Sequence, residues 1–214
     1  MPDPARFVAE NTGLISPPLV PEIRLHLATE VVPLWRKTEE ELEADGVPPP
    51  YWAFAWAGGQ ALARFVLDHP VEVAGKRVLD FGSGSGLVAI AAAKAGAADV
   101  LAADIDAFAG AAIALNADAN EAAVRVAPND VIGTPCAWDT ILVGDMCYER
   151  PLAERLLAWL GECARGGANI LLGDPGRSYF PKSGVEKLST YNVQTTRDLE
   201  DREIRETSVY RLTS

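Results

Sequence analysis

Residues 77–174 repeat one pattern, a short apolar run followed by a helix-favouring stretch, and this alternation limits the fold more than any other feature of the chain. RVLDF, DVLAAD, AVRVA, DTILVGD and ANILLGD read as strands. LVAIAAAKAG joins the first two, AGAAIALNADANEA the second and third, and LAERLLAWLGECA leads to the fifth. Strands separated by helices pair in parallel, so these are βαβ units. The tail offers STYNVQTT and RETSVYRLT on either side of the charged RDLEDREI, which read as a closing antiparallel pair. The expected fold is α/β, a mostly parallel seven-stranded sheet with helices on both faces. At 214 residues it should be one domain, with a core over 71–214 and a helical N-terminal extension over 1–70.

Within that extension, TEEELEADG reads as a helix ended by Gly46 before Pro48, Pro49 and Pro50. YWAFAWAGGQALARFVLDH then reads as an aromatic-rich extended piece that gives way at Gly58 and Gly59 to an amphipathic helix over 60–67. Trp52, Phe54 and Trp56 alternate at period two, which suits either a pocket wall or core packing. The net charge of -11 argues against a protein that gains affinity by neutralising nucleic-acid phosphates, and suits a basic or lysine-bearing partner. Cys136, Cys147 and Cys163 form no CxxC pair, and His26 and His69 lack metal-ligand spacing, so neither a disulfide framework nor a metal is expected. MPDPARFVAE has no apolar signal core, and the apolar stretch over 87–103 is broken by Lys94, Gly96 and Asp99. A cytoplasmic protein that does not span a membrane is expected.

The most specific string is VLDFGSGSG, placed where the first strand hands over to the first helix. Glycines there permit positive φ and close approach of backbone to a ligand, and the helix start supplies unpaired amides. Two acids choose the ligand. Asp80 and Asp104 close the first two strands, at the carboxyl edge where such sheets bind ligands, and Asp104 can accept hydrogen bonds from both hydroxyls of a ribose. Gly84, Gly86 and Ala89 also satisfy the GxGxxA of nicotinamide enzymes, but a carboxylate at Asp80 would oppose a pyrophosphate. S-adenosylmethionine carries a sulfonium and an ammonium and no phosphate, so charge favours it. No GK[ST] follows the glycines, which excludes a Walker-type phosphate loop.

DFGSGSG and AADID resemble the glycine loop and ribose-binding strand end of the class I methyltransferases, whose sheet is Rossmann-like, over most of residues 76–145. That resemblance implies S-adenosylmethionine as cofactor, with Gly82 and Gly84 near its methionine half and Asp104 at its ribose. Asn129 and Asp130 stand where the family contacts adenine, and an ordinary Asx turn explains them equally well. Ser83, Ile105, Gly144, Trp56 and Gly58 complete the expected cofactor set, together with Asp80 and Asp145. The acceptor site should lie at the end of the fourth strand, in VGDMCYE, where Asp145 and Tyr148 are the catalytic candidates. No [DN]PP[FYW] stands there. Cys136 in TPCAW precedes the strand and reads as a small buried apolar group rather than a nucleophile.

DMCY, with NTGL, PEIRLHLATE, YWAFAWAGGQALA and GDPGRSYFP, resembles the electron transfer flavoprotein beta-subunit lysine methyltransferases, within a wider family of DxxY protein lysine methyltransferases. The likeness covers nearly the whole chain and implies methylation of lysines on that subunit. The ribosomal protein L11 methyltransferases are a close alternative, similar over DFGSGSGLVAIAAAKAGAADVLAADID but with NILA where this chain has DMCY. A nicotinamide oxidoreductase and a non-catalytic binding module are the remaining readings, and Asp80, Asp104, Asp145 and Tyr148 together speak against a decayed site.

Overall fold

The computed structural model describes residues 2–29, 34, 48–195 and 204–213. The helix expected over 38–46 and most of RDLEDREI lie outside the described residues. The core is a seven-stranded sheet in the order β5-β4-β3-β6-β7-β9-β8. Its first five strands are parallel: β3 (Arg77–Phe81), β4 (Asp99–Ala103), β5 (Arg125–Ala127), β6 (Thr140–Gly144) and β7 (Asn169–Asp174). The tail closes it with β8 (Val185–Gln194) and β9 (Ile204–Leu212), antiparallel to each other and, through β9, to β7.

Strand side chains alternate between faces, and here both faces are buried. Val78, Val100, Leu142 and Leu171 point to one core, against α2 (Ala57–Asp68) and α3 (Leu87–Lys94). Leu79, Phe81, Ile141, Val143 and Ile170 point to the other, against α5 (Arg150–Arg165). Helix α5 is amphipathic, and Leu156, Trp159, Leu160 and Cys163 are the buried stripe. Burial of each such large side chain is worth about 1.5–3 kcal/mol. Helix α3 is instead buried from Leu87 to Ala92, because its alanines let α2 and the sheet approach on either side.

Among its described residues, the N-terminal extension is only partly helical. After α1 (Pro4–Glu10) the chain forms a hairpin, β1 (Gly13–Ile15) with β2 (Leu25–Leu27), not expected from the sequence. The side chains of α4 (Ala107–Ala119) and of the residue after it hold β2 as another strand would. Asn116 Oδ1 accepts from the His26 amide at 2.6 Å, and Asn120 both accepts from the Arg24 amide and donates to its carbonyl. Asn116 also donates to the Ser85 carbonyl at 2.7 Å, tying the hairpin to the glycine loop. Asn120 also donates to the Asn116 carbonyl at 2.7 Å, so these asparagines bond across the chain as well as along their own helix.

Two further boundaries differ from expectation. Tyr51–Ala53 is a 3-10 turn, not an extended piece, and α2 starts at Ala57, three residues early. It starts there because its first turn crosses the end of β7 in backbone contact: a Cβ on Gly58 would lie 2.2 Å from the Gly173 carbonyl oxygen. Helix α2 therefore packs on the sheet although it falls within 1–70. Among the described residues, no helix is long and apolar enough to cross a membrane.

Candidate active site

From β3 the chain runs outward through β4 to β5, then crosses back to β6 and β7, so β3 and β6 border a topological switch point. Such points leave a crevice off the carboxyl ends of the strands. A cleft of about 520 Å³ opens there. Gly82, Gly84, Asp104 and Ile105 line one side, Gly144, Asp145, Met146 and Tyr148 the other, with Asn129 and Asp130 at the rim. Pro48, Pro49, Tyr51, Trp52 and Trp56 reach it from the N-terminal segment.

The glycine loop is held by backbone and carboxylate bonds. The amides of Gly82 and Ser83 donate to the Ala103 carbonyl, and the Gly84 amide donates to Asp104 Oδ2 at 2.9 Å. Gly82 has φ +63°, which favours glycine, and a Cβ on it would lie 2.4 Å from the Met146 sulfur, so a larger residue would have to displace that side chain. Asp104 Oδ1 accepts from the Asp106 amide at 3.0 Å. Each Asp104 oxygen carries one such bond and keeps acceptor capacity on a carboxylate aimed off the strand end.

Asp80, Ser83 and Gly58 do not line the cleft. Asp80 lies within β3 and shares the face of Val78, so its side chain projects beneath α3 instead of off the strand end. There it accepts from the Ser83 hydroxyl at 2.5 Å and the Ala89 amide at 3.0 Å. Burial lifts its pKa to about 7 against these bonds. Asp80 and Asp104 thus hold the loop from two sides, and Asp104 alone of the two faces the cleft. Ser83 is turned under the loop to meet Asp80, and Gly58 serves the approach of α2 to β7.

Beyond β6 the chain turns through Asp145, whose φ is +60°, and its amide donates to the Gly173 carbonyl at 3.0 Å. That turn aims the carboxylate at the N-terminus of α2, where Oδ2 accepts from the Gly59 amide at 2.9 Å. Oδ1 accepts from the Arg177 guanidinium, 2.8 Å from Nη2 and 3.2 Å from Nε. Burial raises the Asp145 pKa above the usual carboxylate range while Arg177 pulls it back. Tyr148 is 45% exposed, its pKa raised by partial burial, and its ring lies 6.1 Å from that of Tyr51, itself 6.2 Å from Trp56. Trp52 is core and wall at once, buried and stacked on Phe108 while also lining the cleft. Phe54 packs edge-on against Trp56 behind the wall. Asp130 accepts from the Ile132 amide in an Asx turn and pairs with Arg155 at 2.8 Å, so turn and rim coincide. Cys136 is exposed, a correction to its reading as buried, because TPCAW lies on the surface between elements.

A model of the family "Ribosomal protein L11 methyltransferase (PrmA)" matches residues 61–142. The electron transfer flavoprotein beta subunit lysine methyltransferase of Xenopus laevis is 41% identical over 214 residues, covering 97% of this chain and 86% of that protein. The chain belongs to the electron transfer flavoprotein beta subunit lysine methyltransferase family. The human member is also 41% identical, over 86% of this chain and 71% of its own length. Among solved structures, the magnesium protoporphyrin IX methyltransferase of Synechocystis with bound S-adenosylmethionine has the same fold, at TM-score 0.55 and 21% identity over 73% of this chain and 80% of that one. The protein is an S-adenosylmethionine-dependent protein-lysine N-methyltransferase.

The methyltransferase cleft suits this cofactor. Among the described residues, Asp104, Asp106, Asp130 and Asp145 line it with two cationic side chains, Arg155 and Arg177, both paired to carboxylates. Such walls attract a sulfonium and an ammonium and repel a pyrophosphate. Ile105, 77% exposed on the cleft, offers apolar area that a base can cover. Arg177 went unnoticed as a site residue because its partner Asp145 is 32 positions away, and only its place in GDPGRSYFP marked it.

Proposed function

We propose that this methyltransferase acts on lysines of the electron transfer flavoprotein beta subunit, in the cytoplasm, as a single-domain enzyme that needs no nucleic acid. What supports the reading is that Asp145 and Tyr148, groups suited to an amine, line the same cleft as Asp104, a carboxylate suited to a ribose. The relatives at 41% identity carry the substrate in their names, and the net charge of -11 suits a lysine-bearing partner.

Bound S-adenosylmethionine supplies a methyl group on a sulfonium that leaves as a neutral thioether. The chain's own residues must then bring a neutral amine in line with that methyl. A free lysine, with pKa about 10.4, arrives protonated. Asp145 attracts and orients the ammonium, whose proton passes to water, and Tyr148 and the backbone at Gly144 align the nitrogen. Gly82, Gly84, Asp104, Ile105, Asn129, Asp130 and Trp56 hold the cofactor, and Asp80 and Ser83 shape the loop from behind. The test is mass spectrometry of purified electron transfer flavoprotein and ribosomal proteins after incubation with enzyme and S-adenosylmethionine. Methylated lysines in the beta subunit are expected. Methylation confined to a ribosomal protein overturns the substrate, and labelled lysine in neither overturns the proposal.

A further inference from the structure

The segment GDPGRSYFP, after β7, builds a feature that the roles given so far do not use. Asp174 closes β7, and its Oδ1 accepts from the amides of Gly176 at 2.6 Å and Arg177 at 2.7 Å. The chain therefore doubles back and delivers the Arg177 side chain over the end of β6. There the guanidinium holds Asp145 Oδ1 through two nitrogens and lies 5.6 Å from the centre of the Trp56 ring. The Arg177 side chain is 19% exposed and that of Asp145 only 10%, so the pair is shielded and its attraction weakly screened. The acid proposed to meet the substrate is already neutralised.

That neutralisation has a chemical use. A lone buried carboxylate raises the pKa of an amine beside it, because an opposite charge favours the protonated form. An ammonium has no lone pair to donate to carbon. A carboxylate matched by a guanidinium keeps a weaker hold, enough to draw the ammonium in, and its remaining lone pairs still accept an N–H and aim the amine.

We propose that Arg177 is a positioning residue that, by neutralising and aiming Asp145, lets the substrate lysine shed its proton inside the site before methyl transfer. This rests on Asp145 being the amine-facing group. The balance is simple: the lysine ammonium gives one proton to water, the freed lone pair forms the N–C bond, and the C–S electron pair returns to sulfur. The other ionisable groups facing Asp145 are Asp174, lifted by burial to about 6, and Cys147, lifted to about 12 and so a neutral thiol, with Tyr148 on the cleft wall.

The test is the pH dependence of the single-turnover methylation rate, on electron transfer flavoprotein, for the wild type, R177Q, R177K and D145N. In R177Q the midpoint of the rise in rate should move up by about one pH unit or more, with the rate recovering at high pH. R177K should stay near the wild type. D145N leaves the guanidinium uncompensated, so its midpoint should move down while KM rises. A uniform loss in R177Q with an unmoved midpoint makes Arg177 merely structural and overturns the proposal. Should R177Q fail to fold, an unmoved midpoint in D145N overturns it equally. A wild type that methylates another protein's lysine overturns the flavoprotein assignment alone, and the same series on that substrate still decides Arg177.

Discussion

The two walls of the cleft are built by different means. The wall proposed to face the donor is largely backbone: the glycine loop after β3, its amides tied to Ala103 and Asp104 at the end of β4, with Asp80 beneath. The acceptor-facing wall is made of side chains, an Asp145–Arg177 pair and the exposed rings of Tyr51 and Tyr148. A backbone cradle fixes one small molecule by shape. A wall of charge and aromatic area suits the more variable surface of a protein segment and, in the proposed role, the proton of a lysine acceptor.

Variants on either wall should separate these tasks. The largest effect is expected for D145N, about 100-fold lower kcat with the Kd for S-adenosylmethionine largely kept, since misplacing the amine costs about that much. Kinetics together with calorimetry check it, and a matching loss of cofactor affinity would merge the two walls into one. D104N should act in the opposite sense, raising the cofactor Kd roughly tenfold or more by weakening charge-assisted bonds worth about 1.5–3 kcal/mol. Unchanged affinity there would move the ribose elsewhere.

Gly82 touches both walls through Met146. G82A should lower stability by about 1–3 kcal/mol in urea unfolding, as overpacking does, and M146A should recover part of the loss. No recovery would leave the positive φ as the whole cause. The smallest effect concerns Asp80, whose folded pKa of about 7 lies above its ordinary 3.8. Such a group binds its proton more tightly when folded, so its contribution is full below the ordinary value and is lost as pH rises to about 7. The stability of D80N relative to wild type should therefore increase across that window, and parallel unfolding curves would show Asp80 to be ionised throughout.

The sheet was legible because burial on both faces demands apolar runs, and the glycine loop because its turn tolerates few other residues. The β1–β2 hairpin was not, since its three-residue strands lean on Asn116 and Asn120, about 90 positions away in the chain. Strand parity explains why Asp80 lies behind the loop: a residue inside a strand faces a helix, whereas Asp104 and Asp145, one step past their strands, face the cleft. The role of Arg177 depended on a tertiary contact that no local pattern records.

The most direct measurement is a crystal structure of the protein with S-adenosylhomocysteine. The ribose hydroxyls should meet Asp104, with the sulfur turned toward Asp145 and Tyr148. A nucleoside bound away from Asp104, or a sulfur facing away from the Asp145 wall, would contradict a cleft shared by donor and lysine.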